Sequence, residues 1–198
     1  AENEMSDDKD YCDKLIRINE NNSVSIIQEP DDPEKKKIVD QIAAKIEIAL
    51  QEKEKLKQYG IEVVEHTYPG DSDEAICRDI AMMREKQVDM ILCTGGMSVD
   101  PDDKTPGAIR KSGAEIVTYG APVLPGAMFL LGYFENGTPV MGLPGCVMYA
   151  KSTIFDIMLP RIAAGMKVSK EDIWALGNGG LCLGCDPCRY PDCAFGKV

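Results

Sequence analysis

Histidine is nearly missing from this chain: among 198 residues there is one, His66. That scarcity excludes histidine triads and multi-histidine metal sites. His66 itself reads as a surface or loop residue at a strand end. Long apolar runs are missing too, and none approaches the length of a membrane-spanning helix. The N-terminus, Ala1-Glu2-Asn3-Glu4-Met5-Ser6-Asp7-Asp8, is acidic and has no apolar core, so it does not read as a secretory signal. The cytoplasm is the expected compartment. An excess of cations is also absent: 22 Lys and Arg stand against 33 Asp and Glu, a formal net charge of −11. Nucleic acid and anionic membrane are therefore poor partners, and the plainest role of the charge is solubility. There is no internal repeat. The chain opens on Ala1 rather than Met, as an excised or processed chain would, which leaves room for an upstream domain.

What is present fits one α/β domain with tails. The hydrophobic fraction is 44% and the charged fraction 28%, as in ordinary globular chains. Residues 1–22 read as an acidic tail or linker remnant, residues 23–165 as the folded domain, and residues 166–198 as a Cys-rich tail. Val24 to Ile27 reads as a short strand stopped by Glu29-Pro30-Asp31-Asp32-Pro33. From Glu34 to Tyr59, Ile38, Ile42, Ile46, Ala49 and Leu50 recur at helical spacing, and Gly60 caps the helix.

Ile61 to Glu65 reads as a strand. Asp71 and Glu74 are spaced like a capping box before a helix that buries Ile76, Ile80 and Met83. The apolar run Val88 to Cys93 suits a central parallel strand buried on both faces. Thr105 as N-cap and Pro106 as first helical residue start a helix to about Ser112. Ile116 to Thr118 is extended. Met128 to Phe134 and Thr138 to Leu143 flank Asn136-Gly137, a hairpin signal. A last helix starts near Val147, is kinked or tightened by Pro160, and ends at Gly165. The alternation predicts a three-layer α/β/α fold with a mostly parallel sheet and an antiparallel edge hairpin.

The chemistry concentrates after Cys93. The chain there reads Thr94-Gly95-Gly96-Met97-Ser98-Val99-Asp100-Pro101-Asp102-Asp103-Lys104-Thr105-Pro106. In an open α/β sheet the ligand crevice lies at such strand ends. Glycines admit a ligand close to the backbone, and a helix start attracts an anion. An anion suits the amides around Gly95, Gly96 and Ser98 or the helix start near Thr105. Ser98 has an equally ordinary role as a turn-stabilising hydroxyl. Asp100 and Asp102 suit Mg²⁺ held between phosphate oxygens, or are turn residues beside Pro101. Lys104, Arg110, Lys111 and Lys151 are the nearby cations, of which one or two at most are expected to reach a phosphate.

With Thr94-Gly95-Gly96, Asp103, Thr105-Pro106 and Gly142-Leu143-Pro144-Gly145 in view, the chain resembles the molybdopterin-binding domain family over about residues 23–165. That family takes in molybdopterin adenylyltransferases, molybdotransferases and the domain of competence-damage proteins. The resemblance implies molybdopterin as ligand, held by Thr94, Gly95, Gly96, Ser98, Asp103, Thr105, Pro144 and Gly145. It makes Asp103 the carboxylate for the pterin's N–H edge and the candidate catalytic residue. It also implies self-association as a dimer or trimer. Three segments depart from the family pattern. Gln28 to Pro33 replaces a Thr-Gly-rich, Glu-containing loop. Pro125-Gly126-Ala127-Met128 lacks a lysine, and Cys146-Val147 stands where molybdotransferases carry Asn-Pro.

The resulting expectation is binding of molybdopterin or a related pterin phosphate in molybdenum cofactor biosynthesis or handling. Two alternatives stay open: a Mg²⁺-dependent nucleotidyl or metal transferase or nucleotide hydrolase, and a regulatory module with a degenerate pocket. Whether the chain is an enzyme stays open with them.

Four of eight cysteines crowd the C-terminus as Cys182, Cys185, Cys188 and Cys193, spaced C-x₂-C-x₂-C-x₄-C. That density suggests an iron–sulfur cluster or a Cys₄ zinc site. Cys77 and Cys93 read as small core residues, and Cys146 as a thiol on the crevice loop.

Overall fold

The computed structural model describes residues 16–18, 24–26, 53–70, 72–97, 100 and 103–197. The chain divides into two compact units, 1–62 and 63–198. In the first, strand β1 (Ile16–Ile18) pairs antiparallel with β2 (Val24–Ile26), Ile16 opposite Ile26. Residues 53–58 are helical, with Leu56 buried, and Gly60 follows with φ +70°. The rest of the helix expected from Glu34 lies outside the described residues.

The second unit is built on a four-stranded sheet of order β3-β6-β5-β4. Its strands are β3 (Ile91–Thr94), β4 (Glu115–Tyr119), β5 (Leu130–Tyr133) and β6 (Pro139–Leu143). Only β3–β6 is a parallel pairing; β6–β5 and β5–β4 are antiparallel. The sheet is therefore mixed, and the mostly parallel sheet expected from the sequence is not what forms. The expected edge hairpin instead supplies the two central strands, and the expected central strand β3 is an edge of the described sheet. The reason is pairing. Ile61 to Glu65 reads as a strand but forms none: Val64 is 66% exposed and Glu65 is ion-paired to Lys86. Without it, β3 has β6 as its one parallel neighbour among the described residues, and the other two pairings, β6–β5 and β5–β4, are antiparallel. The hairpin turns at Asn136-Gly137, where the Asn136 carboxamide oxygen accepts from the Thr138 N–H.

Burial on both faces follows from the period of two along β5 and β6. Leu130 and Val140 point into a core with Ile76, Ile80, Ile91, Met97, Ala108 and Ile109. Ile76 and Ile80 come from α1 (Asp73–Glu85), and Ala108 and Ile109 from α2 (Thr105–Lys111). Cys93 packs against this cluster, and burial pushes its thiol up to about 12. Leu131, Met141 and Leu143 alternate to the other face and are also fully buried. Tyr133 shares that face, and its hydroxyl oxygen accepts the Val168 N–H.

Helix starts differ in detail from the sequence pattern. Ser72, rather than Asp71, caps α1 by accepting from the Ala75 N–H. The chain after β6 does not run straight into a long helix. A 3₁₀ turn covers Gly145–Met148, and α3 (Ile154–Ala163) starts afresh at a capping box of Thr153 and Asp156. Pro160 sits inside α3 and removes the N–H that Asp156 O would have received. The Tyr190 hydroxyl donates to that carbonyl at 3.0 Å. A residue from the C-terminal segment thus satisfies the group that proline orphans.

Residues 166–197 carry structure of their own. A fourth helix, α4 (Lys170–Ala175), starts at a second capping box, Ser169 with Asp172, and buries Ile173. Leu181 then bridges to Leu124, and the Cys182 N–H donates to Leu124 O. The Ser169 backbone N–H, and next its hydroxyl, hold the Asp172 carboxyl below its ordinary range. A depressed carboxylate contributes stability above its unfolded pKa, about 3.9, and loses it as pH falls through the folded value. Asp172→Asn is therefore expected to flatten the fall of stability with acidification below about pH 4. Denaturant midpoints across that window check this; an unchanged slope would contradict it.

Candidate functional site

The site is assembled by strand direction. Strands β3 and β6 are parallel, and β4 runs the same way because both it and β6 are antiparallel to β5. Three strands therefore end at one edge of the sheet. Thr94 pairs with Leu143, so Gly95-Gly96 and Pro144-Gly145 leave the sheet side by side. Two segments far apart in sequence are brought together in this way.

Gly95 and Gly96 both adopt positive φ, +83° and +58°. A Cβ built on Gly95 or on Gly145 meets nothing within 4 Å, so the backbone at both places faces open space. A ligand can approach it closely. At Gly96 the situation is reversed: a Cβ would stand 2.7 Å from the Thr105 hydroxyl oxygen. That hydroxyl donates to Gly95 O at 2.8 Å, and Thr105 is buried. The sequence pattern makes Thr105 an N-cap. The structure instead places it inside α2 after Lys104, with its side chain clamping the glycine turn. It acts by holding the turn's shape.

Asp103 stands just before α2, and its N–H donates to Asp100 O, closing the connection. Its carboxylate acts on Tyr119 at the end of β4. Burial first, and then Asp103, raise the Tyr119 phenol above its ordinary value. Tyr119, 41% exposed, is the residue at this edge that the sequence pattern did not single out. Its signal was only that Ile116 to Thr118 reads as extended, which leaves the strand's direction open. Thr94 and Gly145 are exposed at the same edge, whereas Pro144 is buried. Ser98 and Asp102 lie outside the described residues.

Of the nearby cations, two are engaged elsewhere. Lys111 pairs with Asp73 of α1, and Lys151 with Asp186 at 3.1 Å. A surface depression lined by Ala81, Arg84, Glu85, Glu135 and Asn136 lies by the hairpin tip, at the opposite end of β6. Its Arg84 donates to Ser112 O and stacks 4.3 Å over the Phe134 ring, a structural commitment.

The C-terminal cysteines do not form the metal centre that their spacing suggests. Among the described residues no group of three or more His, Cys, Asp or Glu side chains is placed to hold an ion. This overturns the iron–sulfur or zinc site at Cys182, Cys185, Cys188 and Cys193, and no Mg²⁺ cluster appears among the described carboxylates either. The physical reason is how the segment is anchored. Cys182 is held by backbone pairing to Leu124, whereas Cys188 lies against Ser152, 3.5 Å between sulfur and hydroxyl oxygen. Cys185 between them is exposed, and all four are free thiols. The segment is held at separate points, Leu124 and Ser152, so its thiols are not gathered around one centre.

Gly95-Gly96, the Thr105 clamp and Pro144-Gly145 thus lie at the carboxyl ends of the strands of a mixed α/β sheet, where ligand crevices of open α/β sheets are found. The chain belongs to the family described as probable molybdopterin binding domain, whose model matches residues 31–164. No curated protein matches the chain. Among the described residues no helix is long and apolar enough to cross a membrane.

Proposed function

We propose that this chain binds molybdopterin, or a closely related pterin phosphate, at the shared edge of β3, β6 and β4, in molybdenum cofactor biosynthesis or handling. The observation that carries the reading is the pairing of Thr94 with Leu143. It sets the two family motifs, Gly95-Gly96 and Pro144-Gly145, beside each other within the matched segment. The open backbone at Gly95 and Gly145 suits a phosphate, which needs close access to N–H donors. Asp103 suits the pterin's aminopyrimidinone edge, whose N–H groups a carboxylate accepts in pairs. Tyr119, within the field of Asp103, lends the aromatic wall beside it.

Binding rather than catalysis is the reading, because Pro125-Gly126-Ala127-Met128 and Cys146-Val147 depart from the family pattern. Pro125-Gly126-Ala127-Met128 supplies no lysine, so the charge that would stabilise a transferring phosphoryl group is lacking there. Asp103→Ala is expected to weaken molybdopterin binding by roughly 10- to 100-fold, the worth of a charged hydrogen-bond pair of about 1.5–3 kcal/mol. Calorimetric titration reads this directly. An Asp103→Ala protein that binds as tightly as the parent chain would remove Asp103 from the site.

A further inference from the structure

Among the C-terminal thiols, Cys188 has a built environment. Cys188 Sγ lies 3.5 Å from the Ser152 hydroxyl, and Ser152 is itself buried. Lys151, the preceding residue, is ion-paired to Asp186, which lies between Cys185 and Cys188. The connection between the two cysteines is thus pinned at Asp186 and at Cys188, and the chain bends at Asp186 and Pro187. Cys185 is exposed, three residues away. Two thiols at C-x-x-C spacing across a bend, one of them held beside a hydroxyl and a cation, form an arrangement suited to exchange with disulfides.

We propose that Cys188 and Cys185 form a thiol–disulfide exchange site for low-molecular-weight disulfides of the glutathione type. The Cys188 thiolate attacks one sulfur of the disulfide, whose S–S bond breaks and releases one thiolate. Cys185, on losing its proton, attacks Cys188 Sγ in the mixed disulfide and displaces the second thiolate. The two protein thiols are oxidised to one disulfide by two electrons. The small disulfide is reduced to two thiols, which take up the two protons. The Ser152 hydroxyl, then the Tyr190 backbone N–H, hold the Cys188 thiol below its ordinary pKa, and Lys151 adds to this. Cys93 is the internal contrast, its buried thiol being pushed far above the neutral range.

The test is treatment of the full chain with oxidised glutathione near neutral pH, followed by peptide mapping. The expected product is an intramolecular Cys185–Cys188 disulfide. Cys185→Ser is expected to stop at glutathione on Cys188, and Cys188→Ser to abolish the disulfide. Iodoacetamide labelling of the untreated chain provides a second reading, with Cys188 expected to react fastest of the four. Ser152→Ala is expected to slow that labelling near neutral pH and to leave it unchanged well above the ordinary thiol pKa of about 8.5. A purely structural role for Ser152 would slow or speed both alike. First reaction at Cys182 or Cys193, or a disulfide that leaves out Cys188, would overturn the proposal.

Discussion

Gly126→Ala is expected to destabilise the domain by about 3 kcal/mol or more, the sum of a strained backbone and an overfilled contact. Gly126 has φ +126°, a conformation that side chains rarely adopt. A Cβ there would stand 2.5 Å from Ile154 Cγ2 and 3.1 Å from the Ile154 backbone nitrogen. Neither neighbour can retreat. Ile154 is fully buried at the start of α3, and its N–H donates to Pro125 O at 3.2 Å. The loss would be a large share of a total stability that is commonly about 5–15 kcal/mol. Denaturant unfolding checks it. A change under about 1 kcal/mol would mean that the loop relaxes away from α3.

The second large effect is expected at the site itself. Gly96→Ala meets the Thr105 hydroxyl at 2.7 Å with φ at +58°. The left-handed backbone alone costs an alanine roughly 1–2 kcal/mol. The hydroxyl must also leave Gly95 O, which breaks a half-buried hydrogen bond worth about 1 kcal/mol. The expected outcome is a stability loss of about 2–3 kcal/mol, together with a roughly 100-fold loss of pterin affinity. Binding falls because the glycine turn moves, and with it the backbone that faces the ligand. A Gly96→Ala protein that is destabilised but binds normally would separate the turn from the ligand site.

The local signals in the chain were good guides where one element decides its own structure. Asn136-Gly137 makes its hairpin, and the apolar spacing of Ile76, Ile80 and Met83 belongs to a real helix. Gly95-Gly96 and Pro144-Gly145 leave the sheet side by side, and Thr105, two residues after Asp103, clamps the first of these turns. What was not legible depends on partners. Ile61 to Glu65 reads locally as a strand, yet a strand exists only where a neighbour supplies hydrogen bonds. The direction of β4, and hence Tyr119 at the site, follows from β5 turning back on it. Thr105 has the identity of a cap, but tertiary contact with Gly95 claims its hydroxyl. In the C-terminal segment, Ser169 and Asp172 have the spacing of a capping box and form one. Cysteine spacing says that thiols can converge. Whether they do depends on anchors such as the Leu124–Leu181 bridge and the Tyr190 hydrogen bond, which no spacing rule contains.

Titration of molybdopterin into the unmodified chain, followed calorimetrically, tests the central claim most directly. The account predicts saturable binding at one site per chain, weakened at least tenfold by either Gly96→Ala or Asp103→Ala. Absence of binding by the unmodified chain, or binding that neither substitution weakens, would contradict it.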